Sequence, residues 1–230
     1  MRAGTRLHRG ALLALLFLSI FLPEGSLSPV GAAELAAGPL EYLPLAPMEK
    51  TFDGLGGRIH VDETTRPLAG GGPVREMEVT RKIAYLNFPT RTIVSVYRYD
   101  PATGAYTKNS STSAFSHSVF AYHPPLVRVR LPFRKGNTWS GEDGENRIHD
   151  RVWGKVRVTL PAGTFVCWVV RRRLSYNLIS RRSTQILYEY YAQGVGFVGE
   201  GGWSATGQWH WSRRLLSVKM GESGGGSAPR

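Results

Sequence analysis

Arginine and aromatic residues recur at strand spacing in the second half of this 230-residue chain. A guanidinium group suits a phosphate or a carboxylate, and a flat aromatic ring offers an apolar face for stacking. In a strand, Arg171 and Arg173 would share one face while Arg172 points to the other. The predicted ligand-binding residues are Arg171, Arg173, Tyr188, Tyr190, Trp209 and Trp211.

The charge balance points to an anionic partner. The chain has 29 Lys and Arg residues against 17 Asp and Glu residues, a formal net charge of +12. Such a surface attracts polyanions, and the sequence therefore predicts an anionic glycan or lipid as the partner. The alternative is a solvated basic surface that only keeps the protein soluble.

Residue types used in catalysis occur without the spacing of a catalytic motif. The run Gly202–Thr206 lacks the final glycine of a serine-hydrolase nucleophile elbow. Glu142, Asp143 and Glu145 could supply paired carboxylates for glycoside hydrolysis, but their flanking glycines are more typical of a turn. We therefore predict no catalytic residue from these motifs.

Metal and thiol chemistry have little support in the sequence. His60 with Asp62, and His149 beside Asp150, are short polar pairs and lack the spacing of common zinc motifs. The single cysteine, Cys167, cannot form an intrachain disulfide, and its apolar neighbours predict a buried, unreactive thiol. The sequence predicts neither a metal site nor a cofactor.

Strands are the elements that would position these residues. Arg75–Leu86 alternates apolar and polar residues, and Thr92–Tyr99 is followed by turn residues that predict a hairpin. Phe165–Val170 is apolar on both faces, which predicts a central strand. Further strands are predicted at 126–131, 156–160, 184–192, 194–199 and 205–220. The predicted fold is mainly β, an antiparallel curled sheet or partial β-barrel in a single domain.

The N-terminus has the features of a cleavable export signal. Three arginines precede the apolar run Ala11–Leu22, which is too short to span a membrane, and small residues follow up to Ala33. We predict a signal peptide at 1–33 and an exported, periplasmic or extracellular protein with no transmembrane segment after cleavage. Because no cysteine follows the apolar run, lipid anchoring is not expected. Export also makes nucleic acid an unexpected physiological partner.

Composition predicts three further segments. Residues 34–57 would be an extended lead-in rich in Pro and Gly, residues 58–220 the antiparallel β domain, and residues 221–230 a flexible tail. The glycine-rich stretch Leu55–Gly72 is expected to separate an N-terminal segment from the main body.

Three motifs in the second half resemble a known family. They are LPFRKGNTWSG at 131–141, VTLPAGTFVCWV at 158–169 and YEYYAQGVGFVG at 188–199. The set resembles a family of bacterial exported proteins of unknown function, many of which look lipid-anchored. The resemblance implies a secreted antiparallel β protein and brings no activity with it. Physically, Pro161-Ala162-Gly163 predicts a tight hairpin, and Gly194, Gly196 and Gly199 would allow close approach to the backbone.

These observations favour an exported cell-envelope protein that acts as a non-catalytic binding or structural module. Its ligand would be apolar, a glycan or other anionic envelope material. The alternative is a secreted hydrolase built from scattered Asp, Glu and His residues. A pocket in which two or three of those groups converge would favour the enzyme, whereas a pocket lined by Trp, Tyr and aliphatic residues would favour the binding module.

Overall fold

A computed structural model of the chain describes residues 28–29, 42–69, 72–113, 119–144, 146–178 and 181–221. The predicted signal peptide lies outside these residues except for Ser28–Pro29, and the predicted tail lies outside them except for Gly221. In the described residues no helix is long and apolar enough to cross a membrane.

The described residues form one antiparallel sheet with short connections. The strands are β1 (Ser28–Pro29), β2 (Met48–Gly54), β3 (Ile59–Pro67), β4 (Arg75–Tyr85), β5 (Phe88–Asp100), β6 (Ala105–Ser113), β7 (Val119–Arg130), β8 (Thr138–Asp143), β9 (Asn146–Leu160), β10 (Gly163–Leu178), β11 (Arg181–Ala192), β12 (Gly196–Trp203) and β13 (Trp209–Met220).

The strand order curls the sheet into a nearly closed barrel. It runs β1-β9-β10-β11-β12-β13-β2-β3-β4-β5-β6-β7, and β8 pairs with β9. Since β8 also lies next to β7, the two ends of this order meet at a seam between these strands. The predicted single-domain, antiparallel, curled or barrel-like fold is confirmed.

Local turn chemistry explains the hairpins. Asp100 accepts a hydrogen bond from the backbone N–H of Ala102 at 2.9 Å, and Gly104 has a φ of +65°, which only glycine adopts readily. At the β9–β10 hairpin, Gly163 has a φ of +133° and pairs with Leu160. Both turns lie where the sequence predicts them.

The N-terminal boundary differs from the sequence prediction. β2 lies inside the segment predicted as an extended lead-in, so, apart from the two-residue β1, the strands begin at Met48 and not at residue 58. The glycine-rich stretch likewise separates no N-terminal segment, because Leu55–Gly57 turns the chain from β2 into β3 with positive φ at each residue. In β2 the charged Lys50 is buried on the same face as Phe52, so apolar and charged residues do not alternate regularly. The sequence pattern therefore did not predict this strand.

The apolar core has two main parts. One contains Tyr97, Tyr106, Trp139 and Tyr191, with Leu43 from the segment before β2. The other collects Phe52, Val158, Cys167, Val198 and Leu215. Of the run Phe165–Val170, predicted to be buried on both faces, Cys167, Val169 and Val170 are buried whereas Phe165, Val166 and Trp168 are half-buried. β10 is central as predicted, since it pairs with β9 and β11.

Candidate functional site

A continuous aromatic cluster lies on the side of the sheet formed by β9, β11, β12 and β13. Trp209 is at its centre, with ring centroids of Trp203, Trp211 and Tyr188 at 5.4, 5.7 and 5.8 Å. Trp153 joins the cluster through Tyr188 at 6.2 Å, and Tyr190 through Trp211 at 5.0 Å. The members of this aromatic cluster are Trp153, Tyr188, Tyr190, Trp203, Trp209 and Trp211. Two of them are largely open to solvent, Trp153 at 52% and Trp203 at 47% exposed.

Glycines in β12 make room for the rings of β13. A Cβ added to Gly201 would lie 2.6 Å from Cζ2 of Trp209 and 2.7 Å from the carbonyl oxygen of His210. A Cβ at Gly199 would lie 3.3 Å from Cζ3 of Trp211 and 2.8 Å from the carbonyl oxygen of Arg213. Side chains at these positions would displace the tryptophan rings, so the close approach predicted for Gly199 is confirmed.

Gly201→Ala is expected to lower the free energy of unfolding by about 1–3 kcal/mol, the usual range for overpacking. The new methyl group meets a backbone oxygen that cannot move aside, and it also displaces Trp209. Urea denaturation measures the loss, and near-ultraviolet circular dichroism reports the tryptophan displacement. Gly141→Ala is the control, because its one close contact, at 2.9 Å, is the flexible end of the Leu126 side chain, and the nearest backbone atom is 3.8 Å away. Equal losses for both variants would contradict the expectation.

Three arginines flank the aromatic cluster on the same face. Arg171 is the register partner of Tyr188 on one side and of Arg151 on the other. Arg173, two residues along β10, stands opposite His149 and Ile186. Like charges on directly opposed residues repel each other in a sheet, so the Arg151–Arg171 pair costs stability unless an anion lies between the two guanidinium groups.

The structure brings the six predicted ligand-binding residues onto one face, but one of them, Tyr190, is buried there. Tyr190 is only 2% exposed and packs in the core, so it supports Trp211 and cannot itself contact a ligand. Sequence reasoning missed Arg151, Trp153 and Trp203. A signal for the first two was present, because His149, Arg151 and Trp153 alternate with the apolar or buried residues of β9.

An open cleft of about 640 Å³ adjoins this face. It is lined by Ser140, Gly141, Glu142, Arg147, Ile148, His149, Arg173, Ser175 and Thr184. Within it, Ser140 Oγ lies 3.0 Å from His149 Nδ1, a hydroxyl–imidazole pair open to solvent. Asp150 follows His149 in sequence but points to the opposite, buried face, where Arg172 holds it.

Arg172 is the centre of a buried ion network on that opposite face. Its Nε and Nη2 donate to the two carboxylate oxygens of Asp150, both at 2.9 Å, and its Nη1 donates to Glu189. Glu189 also accepts hydrogen bonds from Arg128 at 3.0 Å and from the Tyr191 hydroxyl at 2.7 Å. Burial raises the pKa of Asp150 despite the attraction of Arg172, whereas Arg172 and Arg128 outweigh burial and lower the pKa of Glu189.

A second set of buried charges lies across the barrel. Lys50 Nζ is fully buried, 3.3 Å from Glu63 and 3.3 Å from the carbonyl oxygen of Phe197. Arg81 Nε donates to Glu63 at 2.7 Å, and its Nη1 donates to the Tyr97 hydroxyl at 3.2 Å. Although burial raises the pKa of Glu63, Arg81 and Lys50 outweigh it and lower that pKa to about 2.

The remaining candidates for chemistry are surface or core residues. The expected buried thiol is confirmed for Cys167, whose pKa burial raises to about 12. His60 and Asp62 form an exposed pair, 3.2 Å from Nε2 to Oδ1. Within the described part of the chain, no three His, Cys, Asp or Glu side chains come close enough together to hold a metal ion.

Comparison with known proteins gives a family match and two similar structures. Residues 139–208 match the model of the DUF3108-like family, which confirms the resemblance seen in the sequence. No curated protein is significantly similar to the chain.

The two solved structures share the fold. A protein of Bacteroides fragilis NCTC 9343, described as exported with a YmcC-like fold, is 13% identical with a TM-score of 0.50, covering 80% of this chain and 100% of its own. A protein of Parabacteroides distasonis ATCC 8503, described as a lipoprotein, is 14% identical with a TM-score of 0.52, covering 81% of this chain and 100% of its own. At these identities the likeness extends to the fold alone.

Proposed function

We propose that this protein is an exported, non-catalytic binding module of the cell envelope that holds an anionic glycan on its aromatic cluster. The observation that carries the proposal is the placement of exposed Trp153 and Trp203 on the face that also bears Arg151, Arg171 and Arg173. Rigid rings present flat apolar area at little entropic cost, and guanidinium groups bind carboxylates or phosphates with paired N–H donors. Together they suit a polymer of sugar rings that carries negative charge.

The shape of the surface supports an extended ligand. From Thr184 at the cleft to Tyr188 in the aromatic cluster, β11 rises about 13 Å at 3.3 Å per residue. Arg173 lines the cleft, and Arg171, two residues earlier in β10, lies beside Tyr188 of the aromatic cluster. A chain of several sugar rings therefore fits along this path.

Export is supported by the basic and apolar N-terminal pattern and by the descriptions of the two similar structures. One of those proteins is described as a lipoprotein. An N-terminal lipid needs a cysteine directly after the apolar run, and the sole cysteine here is Cys167. We therefore propose export to the periplasm or beyond without an N-terminal lipid.

Trp203→Ala is expected to weaken binding to insoluble bacterial peptidoglycan, an anionic glycan, by roughly 5-fold to 150-fold, the loss of about 1–3 kcal/mol typical of one stacked ring. Co-sedimentation measures the bound fraction. Binding of the unaltered protein should also fall with salt, because the Debye length shrinks from about 10 Å at 0.1 M to about 3 Å at 1 M.

Phe88→Ala is the matched control, since Phe88 is an exposed ring on β5, away from the aromatic cluster. Equal weakening by both substitutions, or affinity that ignores salt, would contradict the proposal. If the protein bound anionic lipid vesicles but not peptidoglycan, the proposed ligand would be a membrane surface and not a glycan.

The Ser140–His149 pair favours a second candidate, a secreted hydrolase, because a serine beside a histidine can be activated as a nucleophile. The cleft also contains Glu142, so part of the convergence expected for an enzyme is present. A fluorophosphonate probe separates the two candidates. Labelling that disappears in both Ser140→Ala and His149→Ala would establish the hydrolase, and absence of labelling supports the binding module.

A further inference from the structure

A small cavity of about 60 Å³ lies inside the barrel, and four cationic side chains and one carboxylate contribute to its otherwise apolar and aromatic lining. Its charged and polar walls are formed by Lys50, Glu63, Arg81, Tyr97, Arg128 and Arg213, from six different strands. Leu43 and Pro44, from the segment before β2, also line it, together with Val79, Tyr106, Val129, Tyr191 and Phe197. We propose that this cationic cavity binds a small oxyanion of the phosphate or sulfate type, at a site separate from the aromatic cluster.

The lining has more positive than negative charge. Glu63 is shared by Lys50 and Arg81, at 3.3 and 2.7 Å. Glu189 is shared by Arg128 and Arg172. Asp150 also pairs with Arg172, and Glu200 lies 3.5 Å from Arg213 Nη2, so four carboxylates face the five cations Lys50, Arg81, Arg128, Arg172 and Arg213. Burying charge without full compensation costs several kcal/mol per ion, and an anion in the cavity would remove that cost.

Arg213 pairs with Glu200 through Nη2 at 3.5 Å, but its Nε is a donor that has no acceptor. Its Nε is buried and has no hydrogen-bond partner among the described residues. Its guanidinium group packs on the rings of Phe197 and Phe52, with Cζ at 4.6 and 5.6 Å from the ring centroids. These contacts fix the plane of the guanidinium group, and buried N–H groups nearly always have an acceptor. An oxyanion oxygen would supply that acceptor.

The electrostatics of Tyr97 agree with a positive potential in the cavity. Burial alone would raise the pKa of its hydroxyl, but Arg81, Arg128 and Lys108 outweigh burial and lower it. A site that favours the anionic form of a phenol favours an external anion for the same reason.

The volume of the cavity and its access to solvent limit which anions can bind there. A single water molecule needs about 15 Å³ by the same kind of measure, so the cavity has room for an ion of about five heavy atoms but not for a nucleotide or a sugar. Arg81, Arg128 and Arg213 have side-chain exposures of 22%, 27% and 22%, so solvent reaches the lining. Guanidinium forks match the oxygen spacing of phosphate and sulfate.

Calorimetric titration of the full chain with inorganic phosphate tests the proposal, with ionic strength held constant by sodium chloride. We expect saturable binding of one phosphate, and at least tenfold weaker binding to Arg213→Gln. Arg214→Gln is the matched control, because it removes the same charge from the next residue, which pairs with Asp53 at 2.9 Å. Its affinity should stay within twofold of that of the unaltered protein. Arg213→Lys keeps the charge but lacks the fork, and should also bind at least fivefold more weakly.

Phosphate should also raise the melting temperature of the unaltered protein, which gives a readout that does not depend on whether a variant folds. Trp203→Ala should bind phosphate normally, since it alters only the aromatic cluster. Equal weakening in Arg213→Gln and Arg214→Gln, displacement of phosphate by equimolar chloride, or no phosphate-dependent shift in melting temperature would overturn the proposal.

Discussion

Arg172→Leu is expected to lower the free energy of unfolding by about 3–5 kcal/mol, the usual cost of breaking a buried ion pair by removing one partner. Arg172 gives Asp150 two hydrogen bonds, and Asp150 is completely buried. Leucine fills part of the space but leaves that carboxylate without its counter-ion. Urea denaturation of both proteins at neutral pH measures the difference.

The loss in Arg172→Leu should become smaller in acid. Without the guanidinium group, burial raises the pKa of Asp150 further above its ordinary value, so the folded state binds a proton that the unfolded chain releases. The destabilisation is therefore present above that raised pKa and diminishes as the pH falls through it. Combining Arg172→Leu with Asp150→Asn should recover part of the loss.

Arg173→Leu is the matched control for this experiment. Arg173 is the next residue, exposed on the opposite face of β10, and its replacement should change stability by less than about 0.5 kcal/mol. Similar losses for the two leucine variants would show that the buried network contributes nothing beyond a general effect of charge.

Acid is expected to remove about 3 kcal/mol of stability through Glu63 alone. Its pKa is about 2 in the folded protein against an ordinary 4.5, and each unit of difference corresponds to about 1.4 kcal/mol. Because the folded pKa is the lower one, this contribution is fully present above the unfolded pKa and is lost as the pH falls through 4.5 toward 2. Denaturation curves across that range measure it.

Glu63→Gln should be less stable than the unaltered protein at neutral pH, and the difference should shrink toward pH 2. Glu78→Gln is the control, since Glu78 pairs on the surface with Arg66, which is 66% exposed. Surface pairs contribute about 0–1 kcal/mol, so that variant should follow the unaltered protein at every pH. Parallel curves for Glu63→Gln and the unaltered protein would show that Glu63 is not stabilised by Lys50 and Arg81.

Local signals predicted the fold well because turns and alternation are local properties. Asp100–Gly104 and Pro161–Gly163 mark hairpins through their own backbone preferences. β2 was missed because Lys50 occupies the buried face, where a strand pattern expects an apolar residue. Nothing within β2 alone reveals that Glu63 lies beside Lys50, since that depends on the register with β3.

The residues of the candidate site also fall into those that local sequence patterns predict and those that depend on strand pairing. Tyr188, Trp209 and Trp211 were predicted because residue parity within each strand places them on shared faces. Trp203 was missed because its place depends on the tight pairing of β12 with β13, where the register shifts. The buried ion network left a clue that was not used: charged residues stand between apolar ones of the same parity, as in Ile148-x-Asp150-x-Val152. That pattern places charge inside a barrel.

The pairing of β13 with β2 determines when, during synthesis of the chain, the sheet around β2 can be completed. Synthesis proceeds from the N-terminus, so β2 leaves the ribosome among the first strands and its sheet partner β13 among the last. Until β13 arrives, β2 has a hydrogen-bonded neighbour on one side only, and its other backbone edge is available for pairing with another chain. Arg213 also comes from β13 and Lys50 from β2. The cationic cavity is therefore completed only after β13, the last of the thirteen described strands, has been made.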